Sequence, residues 1–402
     1  MNPKSISETE AGVAWLTNFE PDEVADAAAL LDAIPIVSAT NFRHELKRLL
    51  TSVCAEMTNA SVAAFAVRGG AGLSVPYTSR ENLPQSTGSE LLVEQLLRKT
   101  ARATGMLFEP SVEKMRAAKV DVVLFVTDNL GSGNEVWEFM SSFTANSSIR
   151  SWLSSRHMRF ELVAHAISEV SWKWLSWDKR WSAIHYERPG ADLESAGWPP
   201  DQLQRIMALC AKYADKPSMA YGFKKISQLT VFEHTVGNGL PRILLQSQGP
   251  GRTPWVPLLP YDRSFGFDND AETESSGYEP PRTAQMIIES LRGASAPRKL
   301  QKQETHALLS GADSMLRPVL LYLVCLRLGI RSGFQMQRHA NMSSSRLTEI
   351  RAFCVSHGLI DNDDTLLESG RDLIRKFGRR QIDAVSAVHR GSTKPYYPSQ
   401  LR

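Results

Sequence analysis

The sequence predicts an α/β domain built on a parallel sheet, followed by a smaller, mainly α domain. Three observations predict it. Val122 to Val126 is a run of five apolar residues with no polar break, the pattern of a strand buried on both faces. A short apolar strand at Val62–Val67 and a further strand at Phe160–Ile167 are separated from it by segments with helical spacing, and strand, helix, strand repeated this way implies right-handed crossovers and parallel pairing. From Thr283 onward the apolar residues keep helical spacing almost throughout.

Composition bounds the problem. A chain of 402 residues holds two or three domains and a sizeable core, and 42% hydrophobic content with mixed charge is ordinary for a globular protein. No apolar run approaches the ~18 residues of a membrane span. The polar start Met1-Asn2-Pro3-Lys4 lacks a secretory h-region, so a cytoplasmic location and no membrane partner are expected. Cys54, Cys210, Cys325 and Cys354 are widely spaced, with no CxxC or Cys/His ligand pattern. That spacing supports neither a zinc centre nor a disulfide framework. The net charge of +3 hides an asymmetry: from Arg282 to the end, 19 Lys and Arg face 10 Asp and Glu, so the C-terminal third is the basic part.

In chain order, Pro21-Asp22-Glu23 reads as a helix start, followed by Val24, Ala27, Ala28 and Leu31 at helical spacing. A second helix runs from Asn41 to Met57. The Val62–Val67 strand ends in Arg68-Gly69-Gly70, where an Arg fork and two glycines suit a diphosphate or simply make a surface turn. Ser89–Thr104 is an amphipathic helix. After the central strand, Thr127-Asp128-Asn129 turns polar, Gly131-Ser132-Gly133-Asn134 is a small-residue loop, and Glu135 opens a helical pattern running to about Arg156. Strand, loop and helix start together read as an anion site, with backbone N–H groups aimed at a phosphate, or as a tight βα turn that binds nothing. Asp128, at the strand tip, is placed to accept hydrogen bonds from ribose hydroxyls. The loop is neither a Walker A motif, lacking the Lys-Ser/Thr, nor a GxGxxG fingerprint, lacking the third Gly.

The segment VVLFVTDNLGSGNE resembles the ribose-phosphate loop of type I phosphoribosyltransferases, and most closely the divergent phosphoribosyltransferase-like domains of bacterial conflict (anti-phage defence) systems. The resemblance implies that Asp128 and Asn129 occupy the positions of the acidic pair that holds the ribose diol. It gives Gly131, Ser132, Gly133 and Asn134 the 5′-phosphate, and Arg68, Gly69 and Gly70 the pyrophosphate loop. Asn129 in place of the second acid departs from the pattern and bears on whether phosphoribosyl transfer occurs. Mg²⁺ use is left open.

Further on, His165 lies in the Phe160–Ile167 strand as a sheet histidine or a catalyst. Trp172, Trp174, Trp177 and Trp181 interleave with Lys173, Lys179 and Arg180, either as a nucleobase platform or as a packed lid. In Gly222–Leu259, Leu229–Phe232 reads as a strand, Val236–Gly239 as a turn and Ile243–Leu245 as a second strand. This block is similar to the end of the defence-type domains, and Gln228, His234 and Asn238 either line the site or stabilise turns. The resulting domains are 12–262, an acidic linker at 263–281 and 282–402.

In the last domain, helices are predicted at Thr283–Leu291, Gln303–Leu309, Ser314–Leu328, Gln335–Ala340 and Ser344–Val355. Leu359-Ile360, the acidic turn Asp361–Asp364 and Thr365–Leu367 form a hairpin before a final helix from Glu368. This part closely resembles winged helix-turn-helix domains. The resemblance implies either that Ser343–Arg351 enters the major groove of a nucleic acid, with Arg338, Ser343, Arg346 and Arg351 at the contact, or that the winged helix serves protein contacts or dimerisation. The combined expectation is an anti-phage defence effector, of the kind found with retrons and partner proteins. It binds a nucleotide or ribose phosphate and acts at the N-glycosidic bond, and its winged helix holds nucleic acid. The rivals are a non-enzymatic nucleotide-sensing regulator and a structural subunit of a defence complex.

Overall fold

A computed structural model of the chain describes residues 5–259 and 313–378, apart from 58, 87 and 341. Two compact units divide the chain, Met1–Tyr278 and Glu279–Arg402. The predicted acidic linker and the predicted helices at Thr283–Leu291 and Gln303–Leu309 lie outside the described residues.

The first unit opens with α1 (Glu10–Leu16) and α2 (Val24–Asp32), then β1 (Ile36–Val37), α3 (Ala39–Glu56) and β2 (Val62–Ala66). It continues through α4 (Ser89–Thr104), β3 (Leu107–Phe108), α5 (Val112–Ala117), β4 (Val122–Leu130), α6 (Asn134–Ala145) and α7 (Ser147–Ser154). The rest is β5 (Arg159–Ile167), α8 (Glu169–Trp177), β6 (Trp181–Pro189), α9 (Pro200–Tyr213) and β7 (Val231–Phe232). Five strands form a sheet in the order β3-β2-β4-β5-β6, and every pairing is parallel. Val122–Val126 pair with Val62–Ala66 on one side and β5 on the other, so the unbroken apolar run sits at the centre of the sheet.

Side chains leave the two faces of these strands alternately. One face packs Ala64, Leu124 and Val126 against Phe42, Leu46 and Leu50 of α3 and Val93 and Leu97 of α4. The other is aromatic: Phe65, Phe125 and Phe160 meet Phe139 and Phe143 of α6, and Tyr77 stacks on Phe143 with centroids 4.3 Å apart. A separate core joins α1, α2, α9 and the 240s, where the indoles of Trp15 and Trp255 both donate to the Ile243 carbonyl at 3.0 Å.

Four expectations are corrected. β4 continues through Asp128 and Asn129 to Leu130, so both lie within the strand, and Asn129 is paired with Ala166 of β5. The helix after the loop breaks at Asn146, whose side chain caps α7 by accepting from the amides of Ser148 and Ile149. Trp181 begins a strand, β6, that the tryptophan cluster had concealed. Ile243–Leu245 is not a hairpin strand: Arg242–Leu244 is a 3-10 turn after Pro241, and Val231–Phe232 pairs instead with Ile36–Val37, in parallel.

In the second unit, α10 (Asp313–Arg327), α11 (Gly333–Ala340), α12 (Ser344–Ser356) and α13 (Glu368–Gly378) surround one apolar cluster containing Leu323, Ile350, Cys354 and Ile374. Ile360 and Leu366 make an antiparallel bridge, the short hairpin between α12 and α13. This is a winged helix-turn-helix arrangement. No described helix is long and apolar enough to cross a membrane.

Candidate functional site

β4 delivers its tip to the turn Gly131–Gly133, and α6 starts at Asn134. Gly133 takes φ +71°, and a Cβ there would lie 2.3 Å from Cζ2 of Trp174, so only glycine fits. The turn's carbonyls are held from α8. The hydroxyls of Ser168 and Ser171 both donate to the Gly131 carbonyl, at 2.5 and 2.7 Å, and the Trp174 indole donates to the Ser132 carbonyl at 3.3 Å. The amides are left over. Those of Ser132, Gly133 and Glu135 donate to no group among the described residues, and that of Asn134 reaches only Ser132 Oγ, at 3.4 Å. Braced carbonyls and unused N–H groups at the start of a twelve-residue helix make an anion-accepting turn. The tryptophans divide: Trp174 packs on this turn, Trp172 meets Tyr186, Trp181 is in the core, and Trp177 is 84% exposed.

Asp128 is buried. Its Oδ1 accepts from the Asn129 amide at 2.7 Å, and its Oδ2 lies 3.8 Å from His234 Nε2. Burial alone would raise its pKa, but His234, the Ser89 hydroxyl and the Asn129 amide outweigh that and hold it below the ordinary carboxylate value. His234 packs against Phe42 with ring centroids 4.6 Å apart, and neither ring nitrogen has a hydrogen-bond partner among the described residues. Asn129 is engaged differently. Its amide and that of Gln228 bond reciprocally, at 3.1 and 2.7 Å. A carboxylate at position 129 would leave Gln228 Oε1 facing an acceptor, so Asn suits this partner where a second acid does not. Asn238 is exposed, and its carbonyl accepts from the Phe223 amide.

The Arg68–Gly70 turn leaves the end of β2. The Arg68 side chain, expected to give a charged fork to a diphosphate or to sit in a surface turn, is buried and ion-paired, with Nη1 lacking a partner among the described residues. Its guanidinium is 2% exposed, 3.0 Å from Glu94 and 2.6 Å from Glu109, with Ser86 on Nε. Arg80 binds the same two carboxylates. Two acids buried without cations would be costly, and the sequence gives them three arginines, Arg98 also reaching Glu94 at 2.6 Å. Gly69 donates its amide to Glu90 Oε1 at 2.9 Å, and Gly70 has φ +121°. Glu135, in the first turn of α6, lies across from Gly69. Burial first, then Asp128, Glu90 and Glu138, push its pKa up. Among the described residues no three His, Cys, Asp or Glu side chains are grouped to hold a metal ion.

Lys224 closes the turn from another side, its Nζ donating to Asn134 Oδ1 at 2.6 Å. Lys224, Lys225 and Ser227 all have positive φ, at 53°, 56° and 52°. Such non-glycine residues cost about 1–3 kcal/mol each and persist only where the surroundings enforce them. Here Ile226 is buried, the Ser227 amide donates to Tyr221 at 2.7 Å, and Gln228 is locked by Gly239 and Asn129. Glu90, Glu135 and Lys224 carry no sequence signal of their own; only the fold brings them to the turn.

The model of the PRTase-CE family matches residues 13–260, more than half of the chain. The chain belongs to the PRTase-CE family. A second model, the wHTH-PRTase associated domain, matches residues 320–402. Among solved structures, Helicobacter pylori xanthine-guanine-hypoxanthine phosphoribosyltransferase is similar at 9% identity and a TM-score of 0.23, over 38% of this chain and 83% of that one. No curated protein sequence matches.

In this PRTase-CE protein the winged module holds its predicted contacts as follows. Ser343 is the N-cap of α12, its hydroxyl accepting from the Arg346 amide at 3.2 Å. Arg346 pairs with Glu349 at 2.6 Å. Arg351 turns to the hairpin, bonding Asp364 at 2.8 Å and the Asn362 carbonyl at 2.6 Å. Arg338 is half-buried in α11. The acidic hairpin turn is partly self-satisfied: Asp361 accepts from the amides of Asp363 and Thr365, and Tyr322 donates to Asp364. The exposed face of α12 is therefore Ser345, Thr348, Glu349, Ala352 and Ser356.

Proposed function

We propose that residues 13–260 bind a nucleotide or ribose phosphate at the end of β4 and act at its N-glycosidic carbon, as the effector part of an anti-phage defence protein. The observation that carries this is the Ser132–Glu135 turn, in which the amides of Ser132, Gly133 and Glu135 have no acceptor among the described residues, beside a buried Asp128 whose pKa is held below its ordinary value. The amides of Ser132, Gly133 and Asn134 hold the 5′-phosphate. Asp128 lies where the ribose sits. An oxocarbenium-like carbon develops positive charge as the base leaves, and a fixed carboxylate stabilises that charge more in the transition state than in the ground state. Asn129 keeps Gln228 in place, and Gln228 holds the segment that carries Lys224. The defence setting, a link to retrons or partner proteins and a cytoplasmic location rest on the resemblance of the loop to conflict-system domains. The winged helix is proposed to hold nucleic acid, supported by its fold and the basic balance of residues 282–402.

The reciprocal Asn129–Gln228 amide pair favours one rival, a nucleotide sensor without turnover, because it gives the substituted acid a purely positioning role. Titration calorimetry with nucleotides, followed by chromatography for released base, separates the two. Binding with base release supports the enzyme, and binding without it supports the sensor. A wild-type protein that binds no ribose phosphate at saturating concentration, and shows no density beside Gly131–Asn134 after soaking, removes both.

A further inference from the structure

The two sides of this site carry opposite charge. On one side lie the loop amides and the ammonium of Lys224, 2.6 Å from the Asn134 side chain. That lysine sits on a segment whose three left-handed residues are enforced by buried contacts on both flanks, so its position is built into the fold. On the other side, a Cβ at Gly69 would meet Glu135 Cγ at 3.8 Å and Glu90 Oε1 at 3.9 Å. The Gly69 amide is already engaged by Glu90, and Arg68 is paired through Nη2 with Glu94 and Glu109, its buried Nη1 alone lacking a partner among the described residues. The groups nearest Gly69 are therefore carboxylates, while Arg68, Arg80 and Arg98 are paired with Glu94 and Glu109.

We propose that the site selects a ribose with a phosphate at C5 and a neutral or cationic group at C1, that it rejects a C1 diphosphate, and that Lys224 is the residue that selects the C5 phosphate. This rests on the reading of the Gly131–Asn134 turn as a phosphate cradle and adds the substrate class. A nucleoside monophosphate satisfies both ends: its dianion meets Lys224 and the amides, and its base meets Glu90 and Glu135. A diphosphate at C1 would bring like charge against both carboxylates.

The test is calorimetry of the full chain with ribose 5-phosphate, AMP, adenosine and phosphoribosyl diphosphate, each with and without Mg²⁺. The wild-type protein is expected to bind both monophosphates at least about tenfold more tightly than adenosine or the diphosphate, in either condition. Lys224→Asn removes the charge while tolerating the left-handed backbone. It is expected to cost the monophosphates about tenfold and leave adenosine unchanged. Glu90→Gln with Glu135→Gln is expected to narrow the gap to the diphosphate. Diphosphate binding as tight as monophosphate binding, with or without Mg²⁺, overturns the proposal while leaving the phosphate cradle standing. So does a Lys224→Asn protein with full monophosphate affinity. If none of the four ligands binds the wild type, the cradle itself falls and the selectivity goes with it.

Discussion

The Gly131–Asn134 turn and the Arg68–Gly70 turn leave the ends of neighbouring parallel strands, yet they are completed in opposite ways. In the first, serine hydroxyls and an indole take the carbonyls and leave amides without acceptors. In the second, a carboxylate takes the glycine amide, and two more take the arginine. Both turns contain glycines at strand tips, so both read as phosphate loops in the sequence. What separates them is the partner that the rest of the fold brings to each. A glycine-rich turn is a permissive backbone; its charge is decided by side chains remote in the chain.

The contrast is broken most severely at Arg68. Arg68→Met leaves Glu94 and Glu109 buried with one guanidinium fewer, and the expected loss is about 3 kcal/mol in urea denaturation. Glu94→Gln added to it restores part of that loss. A variant that keeps its stability and loses ligand affinity instead would show that the guanidinium faces the ligand, and the two turns would be alike after all.

Substituting glycines in each turn sharpens the comparison at a smaller scale. Gly133→Ala meets both a left-handed backbone and the Trp174 ring at 2.3 Å, so a loss of about 2 kcal/mol and of ligand binding is expected. Gly69→Ala finds its nearest neighbour at 3.8 Å, and its stability is expected to stay within about 0.5 kcal/mol of wild type. Equal losses at the two positions, read from urea midpoints, would show that the Trp174 brace carries no weight.

These residues also show how far the sequence could be read. The strand β2 and the first five residues of β4 are unbroken apolar runs, and β5 is largely apolar around Glu161 and His165, so their existence, and the parallel sheet that follows from it, were legible. So were most helices, from their period. β6 was not, because it carries His185, Glu187 and Arg188 and pairs with β5 alone, and such a mixture has no clean period of two. Ile243–Leu245 has strand composition, but Pro241 and the indoles of Trp15 and Trp255 turn it into a tight coil around one carbonyl. In the site, Asp128 and the glycine turn were visible as a local motif. Lys224, Glu90 and Glu135 were not, since neither a left-handed lysine nor a carboxylate brought across from another helix leaves a mark in the residues nearby. The ion pairs of Arg68 were hidden for the same reason: nothing beside Arg68 announces Glu94 and Glu109.

The smallest expected effect contrasts two carboxylates that flank the same turn, and it is a difference of sign. Asp128 has a folded pKa below its ordinary 3.8, because burial is outweighed by His234, Ser89 and the Asn129 amide. The folded state then binds fewer protons than the unfolded one. Asp128 therefore contributes stability that is present above pH 3.8 and lost as pH falls below it towards the folded value. Glu135 is the reverse. Burial and the charges of Asp128, Glu90 and Glu138 raise it above its ordinary 4.5, so the folded state holds the extra proton. Its contribution is complete below pH 4.5 and is lost as pH rises from there through the folded value. Each group bends the stability curve by at most about 1.4 kcal/mol per pH unit. Asp128→Asn is expected to flatten the acid limb, and Glu135→Gln the decline above it, in urea midpoints taken between about pH 3 and pH 7. Should Glu135→Gln steepen that decline instead, Glu135 would have to be paired with a cation in the folded protein. The far side of the turn would then be positive, and the opposition between the two loops would have no electrostatic basis.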